Sequence, residues 1–176
     1  PSEAIAGAVP LAGAAEFGKL GGWHTVNSGS WRLRVAAAGS KTDLRLDIPA
    51  VELGSKQVLT LVLTPAGGAL LVNALGLVQR GDVNRLDGTQ ARVRAVAGGA
   101  GGGAVSAAVA GTTLMSGVGS PAVGAYQLVA AGSVRPALAI DGVSFPGPPT
   151  TLHAGADYTL LVRGSPTAPG ADWLAD

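Results

Sequence analysis

The sequence predicts an all-β protein made of antiparallel β-sandwich domains, on three observations. Apolar residues recur with period two far more often than with the 3.6 period of a helix. Turn signals return every eight to twelve residues, and no segment carries a convincing amphipathic helical face. Composition permits a core: 47% of the 176 residues are hydrophobic. Leu, Val, Ile and Phe make up about a quarter of the chain, above the roughly 20% below which folding fails.

In Trp31-Arg32-Leu33-Arg34-Val35 the odd positions are apolar, and in Asp43-Leu44-Arg45-Leu46-Asp47-Ile48 the even ones are. Both read as half-buried strands, with Ala36–Thr42 as the hairpin loop between them. Pairing them puts Arg32 and Arg34 on one solvent face with Asp43, Arg45 and Asp47, and puts Trp31 in the core with Leu33 and Val35. Val58–Thr64 is a nearly continuous β-branched and Leu run, expected to be a central strand covered on both faces. Pro65-Ala66-Gly67-Gly68 turns the chain into a further apolar run, Ala69–Val78.

Arg80–Thr89 is polar, contains Asp87-Gly88, and is the linker candidate. Strands are then expected at Gln90–Val96, Val105–Ala110, Tyr126–Ala130, Ala137–Phe145 and Asp157–Arg163. Asp141-Gly142, between Leu138-Ala139-Ile140 and Val143-Ser144-Phe145, signals a tight hairpin. Two domains follow, 1–86 and 87–176, the second with a C-terminal tail containing Trp173.

A weak internal repeat supports that division. Trp23 is followed by Gly29-Ser30 and Tyr126 by Gly132-Ser133 at the same spacing; Leu53 precedes Leu59-Thr60-Leu61-Val62 as Leu152 precedes Tyr158-Thr159-Leu160-Leu161. From Gln90 to Tyr126 there are 36 residues, whereas only 22 precede Trp23, so the first copy is expected to lack one or two N-terminal strands. Trimming and completion by a strand from another chain are both open accounts. The first residue is Pro1 rather than Met, which reads as a processed or trimmed chain.

Ala91–Val96, Ala104–Gly111, Val123-Gly124-Ala125-Tyr126 with Ala131-Gly132-Ser133, and Thr151–Val162 resemble the strand motifs of a secreted bacterial family known as domain of unknown function 4397. The resemblance covers Gln90–Gly164 well and Ala14–Val78 loosely. It implies tandem immunoglobulin-like sandwiches on secreted, periplasmic or cell-surface proteins, with no catalytic residues. The chain departs from the family where members carry Asn-Ala-Ser-Pro-Asp, having Ala97-Gly-Gly-Ala-Gly-Gly-Gly103 instead. Leu59–Gly68 with Leu70–Val72 has a fainter similarity to the periplasmic alginate O-acetylation adaptor family, AlgF, also paired β-sandwiches.

Chemistry is sparse. Net charge is +1, with nine Arg, three Lys and no basic run, so charge implies neither nucleic acid nor an anionic membrane as partner. There is no Cys, which excludes disulfides, thiolate catalysis and Cys-ligated zinc. No transmembrane helix is evident. Gly99–Ala104 fits a dinucleotide-loop pattern, but the segment after it reads as strand rather than helix and the next acid is Asp141, so a flexible hairpin or bulge is expected. No nucleophile elbow is present, and His24 and His153 have no metal-ligand spacing. No catalytic, cofactor or metal residue is assigned.

Ala95–Val134 holds no charged residue or His across 40 positions. A self-association or matrix-contact face and an alanine-rich compositional bias both account for it. The contact residues expected are Gly98, Gly99, Gly101, Gly102, Gly103 and Val105, with Trp173 either stacking on a sugar or partner or packing on its own domain. The functional expectation is a non-enzymatic structural protein, assembling with itself or with other envelope proteins or polysaccharide. A fibre subunit completed by strand addition is one form of this. The alternatives are an adaptor in exopolysaccharide O-acetylation and a small-molecule or sugar-binding module.

Overall fold

The computed structural model describes residues 8, 10–13, 21–66, 70–79, 88–99 and 103–175. All regular structure among them is β, in fifteen strands. The chain divides into two compact units, Pro1–Val78 and Gln79–Asp176. Most of the expected linker, residues 80–87, lies outside the described residues.

The first unit holds β1 (Gly29–Ala36), β2 (Leu44–Leu53), β3 (Val58–Pro65) and β4 (Val72–Gln79). β1 and β2 form the expected antiparallel hairpin, with Arg34 opposite Asp47 and Val35 opposite Leu46. Its loop is tied by Ser40, whose hydroxyl accepts from the amides of Thr42 (3.2 Å) and Asp43 (2.9 Å). The expected charged face exists: Arg32 donates to both Asp47 oxygens at 2.8 and 2.6 Å, and Arg45 reaches Asp43 at 2.7 Å. Arg45 also donates to the Leu70 carbonyl at 2.8 Å, tying this hairpin to the start of β4.

Two expectations fail here. Trp31 lies outside the core, 42% exposed, its indole N–H donated to the Asn27 carbonyl at 2.8 Å. A register shift between Trp31 and Leu33 breaks the alternation that placed it with Leu33 and Val35. Among the described residues β3 pairs with β4 alone, one neighbour where the sequence predicts two. Its β-branched run sets the extended conformation but not the number of neighbours.

The second unit is a sandwich of two sheets. One is ordered β12-β11-β6-β7: β6 (Ala104–Val109), β7 (Thr112–Gly119), β11 (Ala137–Ile140) and β12 (Val143–Pro146). The other contains β5 (Gln90–Gly99), β14 (Asp157–Ser165) and β15 (Ala168–Ala175). Its far side is an interrupted strand, β8 (Ala122–Val123) and β9 (Gln127–Ala130), pairing successive parts of β5. A short ladder joins β10 (Gly132–Val134) to β13 (Thr150–Leu152). Ala91, Val93, Ala95 and Ala97 of β5 face the core with Leu160 and Val162 of β14, against Val105, Ala107 and Val109 of β6 and Leu138 and Ile140 of β11. Small residues on β5 and β6 bring the two sheets into contact, as interdigitating inner faces require.

The Asp141-Gly142 hairpin is present, with Ile140 opposite Val143 and positive φ at both turn residues (49° and 79°). Ala110-Gly111 makes a second turn of the same kind (47° and 81°), opening the unexpected strand β7. The expected C-terminal tail is strand β15, paired with β14 along its length.

The internal repeat has a geometric counterpart. Gly29 (φ 137°) pairs with Leu53, and Gly132 (φ 134°) pairs with Leu152. After each Leu the chain makes one turn, closed by Gln57 N–H to Gly54 C=O and by Ala156 N–H to His153 C=O, both 3.2 Å. A positive φ precedes the closing residue in each turn, at Lys56 (58°) and Gly155 (79°). β3 and β14 then start at equivalent positions, Val58 and Asp157.

Candidate interaction surface

In the second unit, β5 and β14 run parallel, with Arg92 opposite Asp157 and Arg94 opposite Thr159. Arg92 forms a forked pair with Asp157, its Nε donating to Oδ1 at 2.7 Å and its Nη2 to Oδ2. Buried Arg94 donates from Nε to the Thr159 hydroxyl at 2.9 Å. Tyr126 lies under both guanidinium groups, 5.1 Å from Arg92 Cζ and 4.5 Å from Arg94 Cζ. Three separate stretches of motif thus converge on one seam, and what they do there is hold two strands together. Sequence reading saw the Arg alternation but not its partners, which lie 65 residues away.

The expected contact residues are distributed as follows. Gly98 and Gly99 belong to β5, opposite Arg163 and Gly164 of β14. Gly101 and Gly102 lie outside the described residues. Gly103 sits beneath the Asp141 carboxylate, where an added Cβ would come within 2.7 Å of Oδ2, while Asp141 Oδ1 accepts from the Ala104 amide at 2.7 Å. Val105 is fully buried, its side chain committed to the core rather than to a partner. Trp173 of β15 is half-buried, edge-on to Tyr158 (centroids 6.2 Å, planes 85° apart), and donates its indole N–H to the Pro148 carbonyl at 2.9 Å. The described part of the uncharged stretch is divided: β6 alternates inward and outward residues and Leu114 and Met115 are buried, while residues 116–119 of β7 are exposed.

The first unit differs in what it leaves open. β14 has β15 on one edge and β5 on the other; its counterpart β3 has β4 on one edge and, among the described residues, no strand on the other. The covered face also differs: Val162 is fully buried, whereas Leu63 at the equivalent position of β3 is 40% exposed and β3 buries Val62 and Thr64 instead. Leu138, Ile140 and Leu152 are buried, while Leu33, Val35, Leu46 and Ile48 of the β1–β2 hairpin are only half-buried. Thr64 of β3 carries a buried hydroxyl with no hydrogen-bond partner, a group that costs about 1–3 kcal/mol when left so. Trp23, Leu70 and Leu71 are exposed in this unit as well.

No family model matches this chain, and no curated protein matches it.

The acidic groups near these features are engaged structurally. Asp172 accepts from Arg163 at 2.6 Å, and Asp157, Asp47, Asp43 and Asp141 are engaged as described above. The Arg32 guanidinium, hydrogen-bonded to Asp47, holds that carboxyl below its ordinary pKa, and Asp47 in turn raises that of Arg32. His153 contributes its backbone, the amide donating to the Tyr158 hydroxyl at 3.0 Å. Among the described residues, no three His, Asp or Glu side chains converge on a point that could hold a metal ion. No described helix is long and apolar enough to cross a membrane. Among the described residues, the edge of β3 away from β4 has no partner strand, and Leu63 beside it is exposed.

Proposed function

We propose that this chain is a non-catalytic contact protein of the secreted or cell-envelope class, whose first unit is completed by another polypeptide. One observation carries the reading: two repeats share turns and strand starts, yet among the described residues β14 is flanked on both edges where β3 is flanked on one. An open edge beside a half-exposed apolar face is the arrangement that strand addition uses. Burying one further Leu or Val fully gains about 1.5–3 kcal/mol, so covering several supports a stable complex. The secreted location and the tandem immunoglobulin-like description rest on the resemblance of Gln90–Gly164 to the secreted family named above.

A second reading, an adaptor in exopolysaccharide O-acetylation, draws on the same strand. The segment resembling that adaptor family, Leu59–Gly68, contains most of β3, so an adaptor would grip its enzyme by this edge.

Sedimentation velocity over a concentration series, with binding of the dye ANS to the native chain, tests the proposal. Association on concentration, or ANS fluorescence lost when a partner is added, is expected. A chain that stays monomeric at all concentrations and binds no ANS overturns it.

A further inference from the structure

We infer that one end of the first unit docks on an anionic lipid surface, with Leu70 and Leu71 entering among the headgroups and Lys41 meeting the lipid phosphates. This goes beyond the proposed function and is independent of how β3 is flanked.

Two connections meet at that end. The one between β1 and β2 is closed by the Ala37 amide, which donates to the Asp43 carbonyl at 2.9 Å. The one between β3 and β4 is closed by the Ala66 amide, which donates to the Leu71 carbonyl at 2.9 Å. Arg45, the second residue of β2, donates to the Leu70 carbonyl at 2.8 Å. The two connections therefore stand within the reach of one side chain, and a charge-assisted hydrogen bond fixes where Leu70 sits.

Their chemistry is divided. Leu70 and Leu71 are 67% and 57% exposed, an adjoining apolar pair facing water rather than a leucine scattered singly over a surface. Lys41, in the other connection, is exposed as well. The acid of that segment, Asp43, accepts from Arg45 at 2.7 Å. Ala36–Arg45 carries Lys41 and Arg45 against Asp43, an excess of one positive charge, while Pro65–Val72 carries no charge at all.

Leucines beside a cation match the boundary between lipid headgroups and acyl chains. There the apolar side chains leave water while the long Lys side chain keeps its ammonium at the level of the phosphates. The excess of positive charge selects an anionic surface over a neutral one. The whole-chain charge of +1 does not show this; the fold does, by bringing Arg45 and the Lys41 segment against a leucine 25 positions along the chain from Arg45.

The test is co-sedimentation of the intact 176-residue chain with vesicles of phosphatidylcholine alone, and of equal parts phosphatidylcholine and phosphatidylglycerol. Binding is expected to the anionic vesicles and to fall with added salt. The double variant Leu70→Ser/Leu71→Ser should weaken it about tenfold or more. Lys41→Glu should weaken it about fivefold or more. All three side chains are exposed, so circular dichroism melts of these variants should match the native chain. Depth is read by an environment-sensitive dye on a single introduced thiol, since the chain has no Cys. Dye on Leu71→Cys should shift to the blue on anionic vesicles. Dye on Val58→Cys, exposed at the far end of β3 and roughly 20 Å away along the strand, should stay in water.

No sedimentation, equal binding to neutral vesicles, or native binding by the double Ser variant overturns the inference. So does a dye at Val58→Cys that reports lipid as strongly as one at Leu71→Cys. A blue shift at Leu71→Cys that grows with chain concentration in the absence of vesicles also overturns it, because a second copy would then cover the two leucines.

Discussion

Arg92 of β5 grips Asp157 of β14 across the first register position of a parallel strand pair, and Tyr126 packs against the guanidinium. Parallel ladders are slightly weaker per residue than antiparallel ones. A forked, partly buried ion pair at its start fixes the register of this one. Arg92→Ala leaves Asp157 partly buried without its partner and should cost about 1–3 kcal/mol in denaturant unfolding of the second unit. An Arg92→Ala variant as stable as the native chain would show that the pair merely decorates the seam.

Leu63 and Val162 occupy equivalent positions with opposite exposure. Val162→Asp should prevent the second unit from folding, since it buries an unpaired carboxylate. Leu63→Asp should change the unfolding midpoint of the chain little, because Leu63 is 40% exposed. Circular dichroism melts of both variants check this.

Gly164 combines φ of 89° with a close approach: an added Cβ would lie well inside van der Waals contact distance of the Ala168 carbonyl oxygen. Gly164→Ala should destabilise the β14–β15 hairpin by about 2 kcal/mol or more, read from amide exchange of β15. Ala at Gly111, whose φ is also positive but where a Cβ meets nothing, should cost less.

Asp47 is titrated by its neighbour. Its folded pKa lies below the unfolded value, near 4, because Arg32 donates to it. The stability it contributes is therefore present above about pH 4 and is lost as pH falls through the folded pKa. Arg32 stays protonated throughout, so its raised pKa adds no pH dependence in that range. Carboxyl carbon NMR titration should show the Asp47 midpoint rising in Arg32→Ala and in high salt, because both groups are solvent-facing.

Short-range features were legible without coordinates. Period-two alternation marked β1, β2 and β5, Asp141-Gly142 marked its turn, and the spacing of Gly29, Leu53, Gly132 and Leu152 marked two copies of one ladder. These follow from φ/ψ preferences and side-chain alternation, which act over a few residues. Strand β15 escaped notice because Ala168-Pro-Gly-Ala-Asp-Trp has no apolar alternation; pairing with β14 makes it a strand. Trp31 and the Val58–Thr64 run were misplaced for a related reason. Alternation cannot register a bulge, and β-branching cannot count neighbours.

Tertiary structure decided the rest: which edges meet, which faces are covered, and that Arg92, Tyr126 and Asp157 form one cluster. Each depends on contacts between residues far apart in the chain, whose free energy appears only when whole sheets stack. Local sequence thus determined what each segment can be, and long-range burial determined that β14 is enclosed between β5 and β15 while, among the described residues, β3 pairs with β4 alone.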